Sequence, residues 1–192
     1  MDWIEQGKAR LARKRQILFF PQDNLFEELV QKLQNQDRRI VILWAFSLAE
    51  ESVQWLEQNL CGEIRPRNAL EASRLWAAGE IKMPMAKRQI LSCHALAKEL
   101  SSPEEIALCH AVGQACSVVH TPKHAMGYPI YECTALVYRY GWEECRVPVE
   151  TRVQTYLQRL QYWIEKFPDD NRNWAEFLCR KAKGGSPAIP TR

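Results

Sequence analysis

The sequence predicts an all-α protein: a single domain of about seven to nine helices packed around a central apolar helix near residues 103–119. Three observations predict it. Hardly any segment alternates apolar and polar residues with the period of a strand, whereas spacings of three and four recur along the chain. Gly62 and Gly79, with Pro66, Pro84, Pro103 and Pro122, punctuate these segments where helices end and begin. The stretch IALCHAVGQACSVV, Ile106 to Val119, carries no Asp, Glu, Lys or Arg, and a helix apolar all round is buried all round.

The first segment is a basic amphipathic helix, with Lys8, Arg10, Arg13, Lys14 and Arg15 on its polar side and Ile4, Leu11 and Leu18 at heptad spacing. A solvated helix lying on the core is preferred to a membrane-surface or nucleic-acid arm. Phe19 and Phe20 anchor its end before Pro21. Asp23 or Asn24 then caps a short helix with Leu25, Phe26, Leu29, Val30 and Leu33, ending near Asn35. From Asp37, the series Val41, Trp44, Leu48, Ser52, Trp55, Leu56, Leu60 predicts a long helix stopped by Gly62. The next starts near Pro66, carries Ala69, Ala72 and Trp76 on one face and Arg67, Glu71 and Arg74 on another, and closes at Gly79. Pro84 opens a helix with the inward stripe Ala86, Ile90, Cys93, Ala97 and Leu100.

Ser102 and Pro103 are the cap and first residue of the central helix. At ~1.5 Å per residue it runs about 20 Å, enough to cross a small domain. Ala107, Ala111, Gly113, Ala115 and Ser117 suit close approach by neighbours. Thr121 and Pro122 start a helix that reaches about Tyr140, with a kink expected at Pro129. A loop from Gly141 through Pro148 leads to a core-facing helix with Val149, Val153, Tyr156, Leu157, Leu160, Trp163, Ile164 and Phe167. Pro168 with Asp169 or Asp170 begins a last helix bearing Trp174, Phe177 and Leu178. Residues 1–183 are expected to form the domain and 184–192 a disordered tail.

At 192 residues and 46% hydrophobic content, the chain is long enough for one well-buried core and leaves little for a second. Of the seven cysteines, Cys93, Cys109, Cys116 and Cys133 fall at internal helical positions, and an odd count without paired spacing argues against a disulfide framework. Reduced thiols, no apolar run of ~18 residues and a start, MDWIEQGKARLARKR, without the pattern of a signal peptide lead us to expect a cytoplasmic protein without a membrane partner. A net charge of +3 from 26 basic and 23 acidic residues is too near balance to call for nucleic acid.

The titratable candidates are few. His120 and His124 have H-x-x-x-H spacing, which on one continuous helix presents two imidazoles on one face to a metal. Thr121 and Pro122 interrupt it, so capping or packing is the preferred reading. His94 follows Cys93 and His110 follows Cys109, but sequence neighbours on a helix diverge by about a hundred degrees and do not chelate as a pair. Glu63, Glu71 and Glu80 are the carboxylates to inspect for acid–base work, without the spacing of a paired-carboxylate site. Arg67, Glu71 and Arg74 read as an ion-paired helix face or as the lining of a polar pocket. No metal and no cofactor are expected, and phosphate-binding loops, nucleophile elbows and C-x-x-C motifs are absent.

RPRNALEASRLWAAGEIKMPMAKRQILSCHALAKEL followed by AVGQACSVVHTPKHAMG resembles the immunity proteins of bacterial polymorphic-toxin systems, specifically an all-helical immunity-like domain family. The order of motifs carries the resemblance: an R-P-R-x-A-(L/I)-E-A segment at Arg65 to Ala72, a W-x-x-G-E turn at Trp76 to Glu80, and an alanine-rich helix with His94. A-x-G-x-A at Ala111 to Ala115 and H-x-x-x-H before a glycine, His120 to Gly127, complete it. WAFSLAEESVQWLE looks like the family's W-A helix, so the resemblance covers about Val41 to Tyr140. Two positions depart. Ser47 stands where that helix carries an aspartate, and Pro129 interrupts a helix that is usually continuous.

The resemblance implies a non-enzymatic protein that binds and blocks a cognate toxin. A rival reading is a small-molecule- or metal-binding helical protein, with an enzyme among its function classes, using a polar site of Arg67, Glu71, Glu80, His94, His120 and His124. A third is a basic adaptor acting through the N-terminal arm. A cavity joining arginine, glutamate and histidines favours the second; an exposed apolar or charged patch without a cavity favours the first. A binding surface also leads us to expect exposed tryptophans, with Trp3, Trp142 and Trp174 foremost.

Overall fold

The computed structural model describes residues 2–180; the tail expected to be disordered, 184–192, lies outside them. Among the described residues there are nine α-helices and no strand. They are α1 (Trp3–Ala12), α2 (Glu27–Gln34), α3 (Arg38–Asn59), α4 (Arg65–Ala77), α5 (Met83–Leu96), α6 (Pro103–Ser117), α7 (Gly127–Glu144), α8 (Arg146–Lys166) and α9 (Glu176–Cys179).

The charge-free stretch is the central rod. Helix α6 packs against α3, α4, α5 and α7, and Ala107, Cys109, Ala111, Val112, Ala115 and Cys116 are all buried. Small residues make this possible, because helix axes approach only as closely as the side chains between them allow. Ser102 caps the rod, its hydroxyl accepting from Glu105 N at 3.4 Å. Helix α3 lies alongside with Val41, Ile42, Trp44, Ala45, Leu48 and Ala49 buried. The Trp44 indole N–H, deep in the core, donates to the Tyr156 carbonyl of α8 at 2.9 Å. Asp37 caps α3 by accepting from Arg39 N.

Before this bundle, the chain passes without regular structure through Leu18 and Phe19, both fully buried. Arg10 organises the segment: it donates to both Asp23 carboxylate oxygens at 2.5 and 2.6 Å and to the Leu18 carbonyl at 2.9 Å. The predicted Ile4–Leu11–Leu18 stripe is therefore corrected. Helix α1 stops at Ala12, Leu11 is exposed, and Leu18 is buried from outside the helix.

Three further expectations are revised, two of them for one physical reason. Pro129 does not kink α7; it is the third residue of a helix that starts late, at Gly127. The first N–H groups of a helix have no intrahelical acceptor, so proline is tolerated there. A single 3-10 turn, Pro122–His124, takes the place of the missing helical start. Likewise the predicted loop up to Pro148 is helical, since α8 begins at Arg146 and Pro148 is its third residue. The break falls at Gly141 instead, with φ 69° and ψ 167°. The last helix shrinks to the four residues of α9, behind an irregular run held by Ala175 N donating to the Ala77 carbonyl at 2.7 Å.

The expected exposed tryptophans are also corrected: all seven of the chain's tryptophans lie within the described residues and none is exposed. Trp3 packs on Phe19 with ring centroids 5.4 Å apart. Trp142 lies against Gly7, where a Cβ would meet its Cη2 at 2.6 Å. Trp174 donates to Asp170 at 2.8 Å. No helix among the described residues is long and apolar enough to cross a membrane.

Candidate functional site

Two clefts flank the central rod, and the tryptophan and three of the histidines that carry the family resemblance line one of them. Trp76 comes from α4, His94 from α5, Ser117 from α6, and His120 and His124 from the turn that follows. Together they line a cleft of about 240 Å³. Its remaining walls are Met83, Lys87, Ile90 and Leu91 of α5.

Each motif has a local reason. In W-x-x-G-E, Gly79 N donates to the Trp76 carbonyl at 3.0 Å and Glu80 N to the Leu75 carbonyl at 2.9 Å. This is the Schellman closure, which needs a left-handed residue, and Gly79 supplies it with φ +81°. In A-x-G-x-A, Gly113 leaves space for an imidazole: a Cβ there would lie 2.3 Å from His94 Cε1. The glycine after H-x-x-x-H does the same for an amide, since a Cβ on Gly127 would lie 2.6 Å from Gln114 Oε1. That oxygen is 2.8 Å from His124 Nδ1, and in that pair the imidazole donates. His120, which is exposed, stacks on Trp76 with centroids 6.3 Å apart. Arg38 pins its backbone by donating to the Val119 and His120 carbonyls at 2.9 and 3.2 Å.

The imidazole of His94 is uncharged at neutral pH. Burial, reinforced by the neighbouring rings of His110 and His124, pushes the pKa of His94 down to about 4, and burial also lowers His110 and His124. His94 Nδ1 and His110 Nδ1 are 3.0 Å apart, so one neutral ring donates and the other accepts. Among the described residues no group of three or more His, Cys, Asp or Glu side chains is placed to hold a metal ion.

The other members of the predicted polar set lie elsewhere. Arg67 donates to Glu57 at 2.9 Å and to Glu50 at 2.6 Å, while Arg74 bridges Glu71 at 2.6 Å and Glu50 at 2.7 Å. This network ties α4 to α3 on the surface. Arg65 joins Glu63 and Glu99 in the same manner. Glu80 is exposed in the turn after α4. The structure thus brings His94, His120 and His124 together and leaves Arg67, Glu71 and Glu80 apart from them.

The second cleft, about 260 Å³, opens between Trp55, Leu108 and Leu136, with Glu51, Glu132, Arg139 and Arg152 on its rim and floor. Sequence reasoning passed over it. Glu132 is buried and accepts from Arg152 Nε and NH2 at 2.9 and 2.8 Å and from the Tyr156 hydroxyl at 2.6 Å. The Tyr128 hydroxyl lies 2.9 Å from the same carboxylate. Arg152 continues to Glu51 at 2.7 Å, and Glu51 to Arg159 at 2.7 Å. The signal was present in the sequence: Glu132 is the one charged residue in YPIYECTALV, and a lone charge on an apolar face requires a buried partner. Ser47, the departure in the W-A helix, borders this region and accepts from the Trp163 indole at 3.0 Å.

Comparisons with curated proteins and with solved structures give no match. A family model described as Imm-5 like putative immunity protein matches residues 31–159. That span is wider on both sides than the motif resemblance and takes in α3 to α7, most of α8, and both clefts. With two thirds of its length so matched, the chain belongs to the Imm-5 like family.

Proposed function

We propose that the protein binds a cognate bacterial toxin and neutralises it by stoichiometric protein–protein association, without turnover. The family match over residues 31–159 carries this reading. The chemistry of the carboxylates and buried thiols supports it. Glu132 and Glu51 are engaged by Arg152 and Arg159. Burial raises the thiol pKa of Cys109 and Cys116 to about 12, so neither is a thiolate near neutral pH. The action of such a protein lies in its surface, in the cytoplasm where toxin and immunity protein meet. Co-expression with the product of the neighbouring gene is the test. Restored growth and a 1:1 complex on size exclusion are expected; growth arrest with no complex overturns the reading.

A second reading has one observation in its favour: three of the four histidines line a single cleft. A small-molecule-binding protein or enzyme of this kind loses its activity on His94→Ala, His120→Ala or His124→Ala substitution in folded protein. For the immunity protein there is no turnover or small-molecule binding for these variants to lose.

A further inference from the structure

The outer face of α5 differs from the rest of the surface. Most arginines are neutralised in place, as Arg65, Arg67 and Arg74 are by Glu63, Glu57 and Glu50. Lys82, Lys87 and Arg88 are exposed, and their side chains make no ion pair or hydrogen bond among the described residues. Lys123, beside the cleft residue His124, is the same. No Asp or Glu occurs between Glu80 and Glu99, and Glu99 is held by Arg65.

Between these cations the helix exposes large apolar side chains: Met83 is 39%, Met85 56% and Leu91 56% accessible. Single exposed apolar residues are ordinary, but several on one helix beside an open cleft form a patch. Met83 and Leu91 are also the lip of the histidine cleft. The cleft holds about 240 Å³, below the roughly 300–1,000 Å³ usual for small-molecule pockets. It suits one large side chain arriving from a partner, the way an interface anchor is seated.

We propose that this face is where the toxin docks: an acidic surface of the toxin lies over Lys82, Lys87 and Arg88 and inserts one apolar anchor between Met83 and Leu91, toward Trp76. The inference rests on the immunity reading and adds the interface and the sign of the partner's charge. Unpaired cations on a helix with no acidic residue supply the charge complementarity, which speeds encounter and sets register. The exposed methionines and leucine favour a protein over nucleic acid, whose phosphates leave an apolar cleft unfilled.

The test uses the full-length chain and the purified product of the neighbouring gene, with affinity measured by calorimetry at about 50 and 300 mM salt. The variants are Leu91→Glu and the pair Lys87→Glu/Arg88→Glu, with circular dichroism to confirm folding. Arg13→Glu/Arg15→Glu, on the other unpaired basic segment, is the control. Binding is expected to weaken with salt, by about 30-fold in Leu91→Glu and at least tenfold in the charge-reversed pair, with the control unchanged. Hydrogen exchange in the complex is expected to slow across residues 82–91. A complex whose affinity is unchanged in both variants overturns the docking face and leaves the immunity reading standing; failure to bind the toxin at all overturns both. Competition by a 20-base-pair duplex DNA at equal charge assigns the face to nucleic acid and likewise overturns the proposal.

Discussion

The imidazole of His94 occupies the space that a side chain on Gly113 would fill: a Cβ at 113 would lie 2.3 Å from His94 Cε1 and 2.4 Å from Nε2. One residue belongs to α5 and the other to the central helix, so the pair sets how closely the two helices pack. It also orients His94 toward His110 on one side and the cleft on the other.

Gly113→Ala therefore has opposite effects in two backgrounds. In the native chain it is expected to destabilise by about 1–3 kcal/mol, because the imidazole must move within a packed interface. With His94→Ala already present, the same change is expected to be neutral or stabilising by up to about 1 kcal/mol, the helix-propensity gain of alanine over glycine. Urea unfolding of the four proteins in the cycle measures this coupling. Equal effects of Gly113→Ala in both backgrounds would show that the contact carries no energy. Gly113→Leu is expected to abolish cooperative folding.

The buried histidines make stability depend on pH. His94, with its folded pKa near 4, binds its proton less readily than in the unfolded chain, where the ordinary value is about 6.5. The unfolded state then holds more protons between those values, so this contribution is full above about pH 6.5 and is lost as pH falls toward 4. His110 and His124 shift in the same direction. Denaturation midpoints at pH 7.5, 6.0 and 5.0 are expected to fall steadily, with a shallower slope in a His94→Gln/His110→Asn variant. Working above pH 5 excludes the carboxylates of Asp37, Glu50, Glu57 and Glu63, which their arginine partners hold below the usual range. A midpoint that stays level from pH 7.5 to 5.0 would contradict the assignment.

Glu132→Ala leaves Arg152 with Glu51 alone and removes the acceptor of the Tyr156 hydroxyl. Breaking one side of a buried ion pair is expected to destabilise by about 3 kcal/mol. The double variant Glu132→Leu/Arg152→Met is expected to be more stable than Glu132→Ala, because no buried charge is left without its partner. Chemical denaturation compares them directly, and a Glu132→Ala protein as stable as wild type would show that the network is inert.

Gly79 and Gly62 separate backbone strain from contact. Both have positive φ, +81° and +78°, but a Cβ at 79 would meet Ala175 Cα at 3.3 Å, whereas nothing lies within 4 Å of position 62. Alanine is expected to be destabilising by roughly 1 kcal/mol at either site from left-handed strain. At 79 it should also loosen the segment around Ala175, read as faster proteolysis between residues 170 and 180. Equal cleavage in the two variants would remove the role given to this contact.

Helix number, order and most boundaries were legible from residue spacing, because burial of a helix face leaves a period of three to four and because Ser102, Asp37, Gly62 and Gly79 act on the backbone next to them. The charge-free stretch announced the central helix for the same reason: no side chain in it demanded water. Prolines were read less well. Pro129 and Pro148 are acceptable both as breaks and as first-turn residues, and only the folded chain shows that both helices begin just before them. The grouping of titratable side chains was decided by tertiary packing. Arg67 and Glu71 share a helix with Trp76, yet they face α3 while Trp76 meets His120. A face of a helix is a local property, but the element it faces is set by how the helices are arranged around α6.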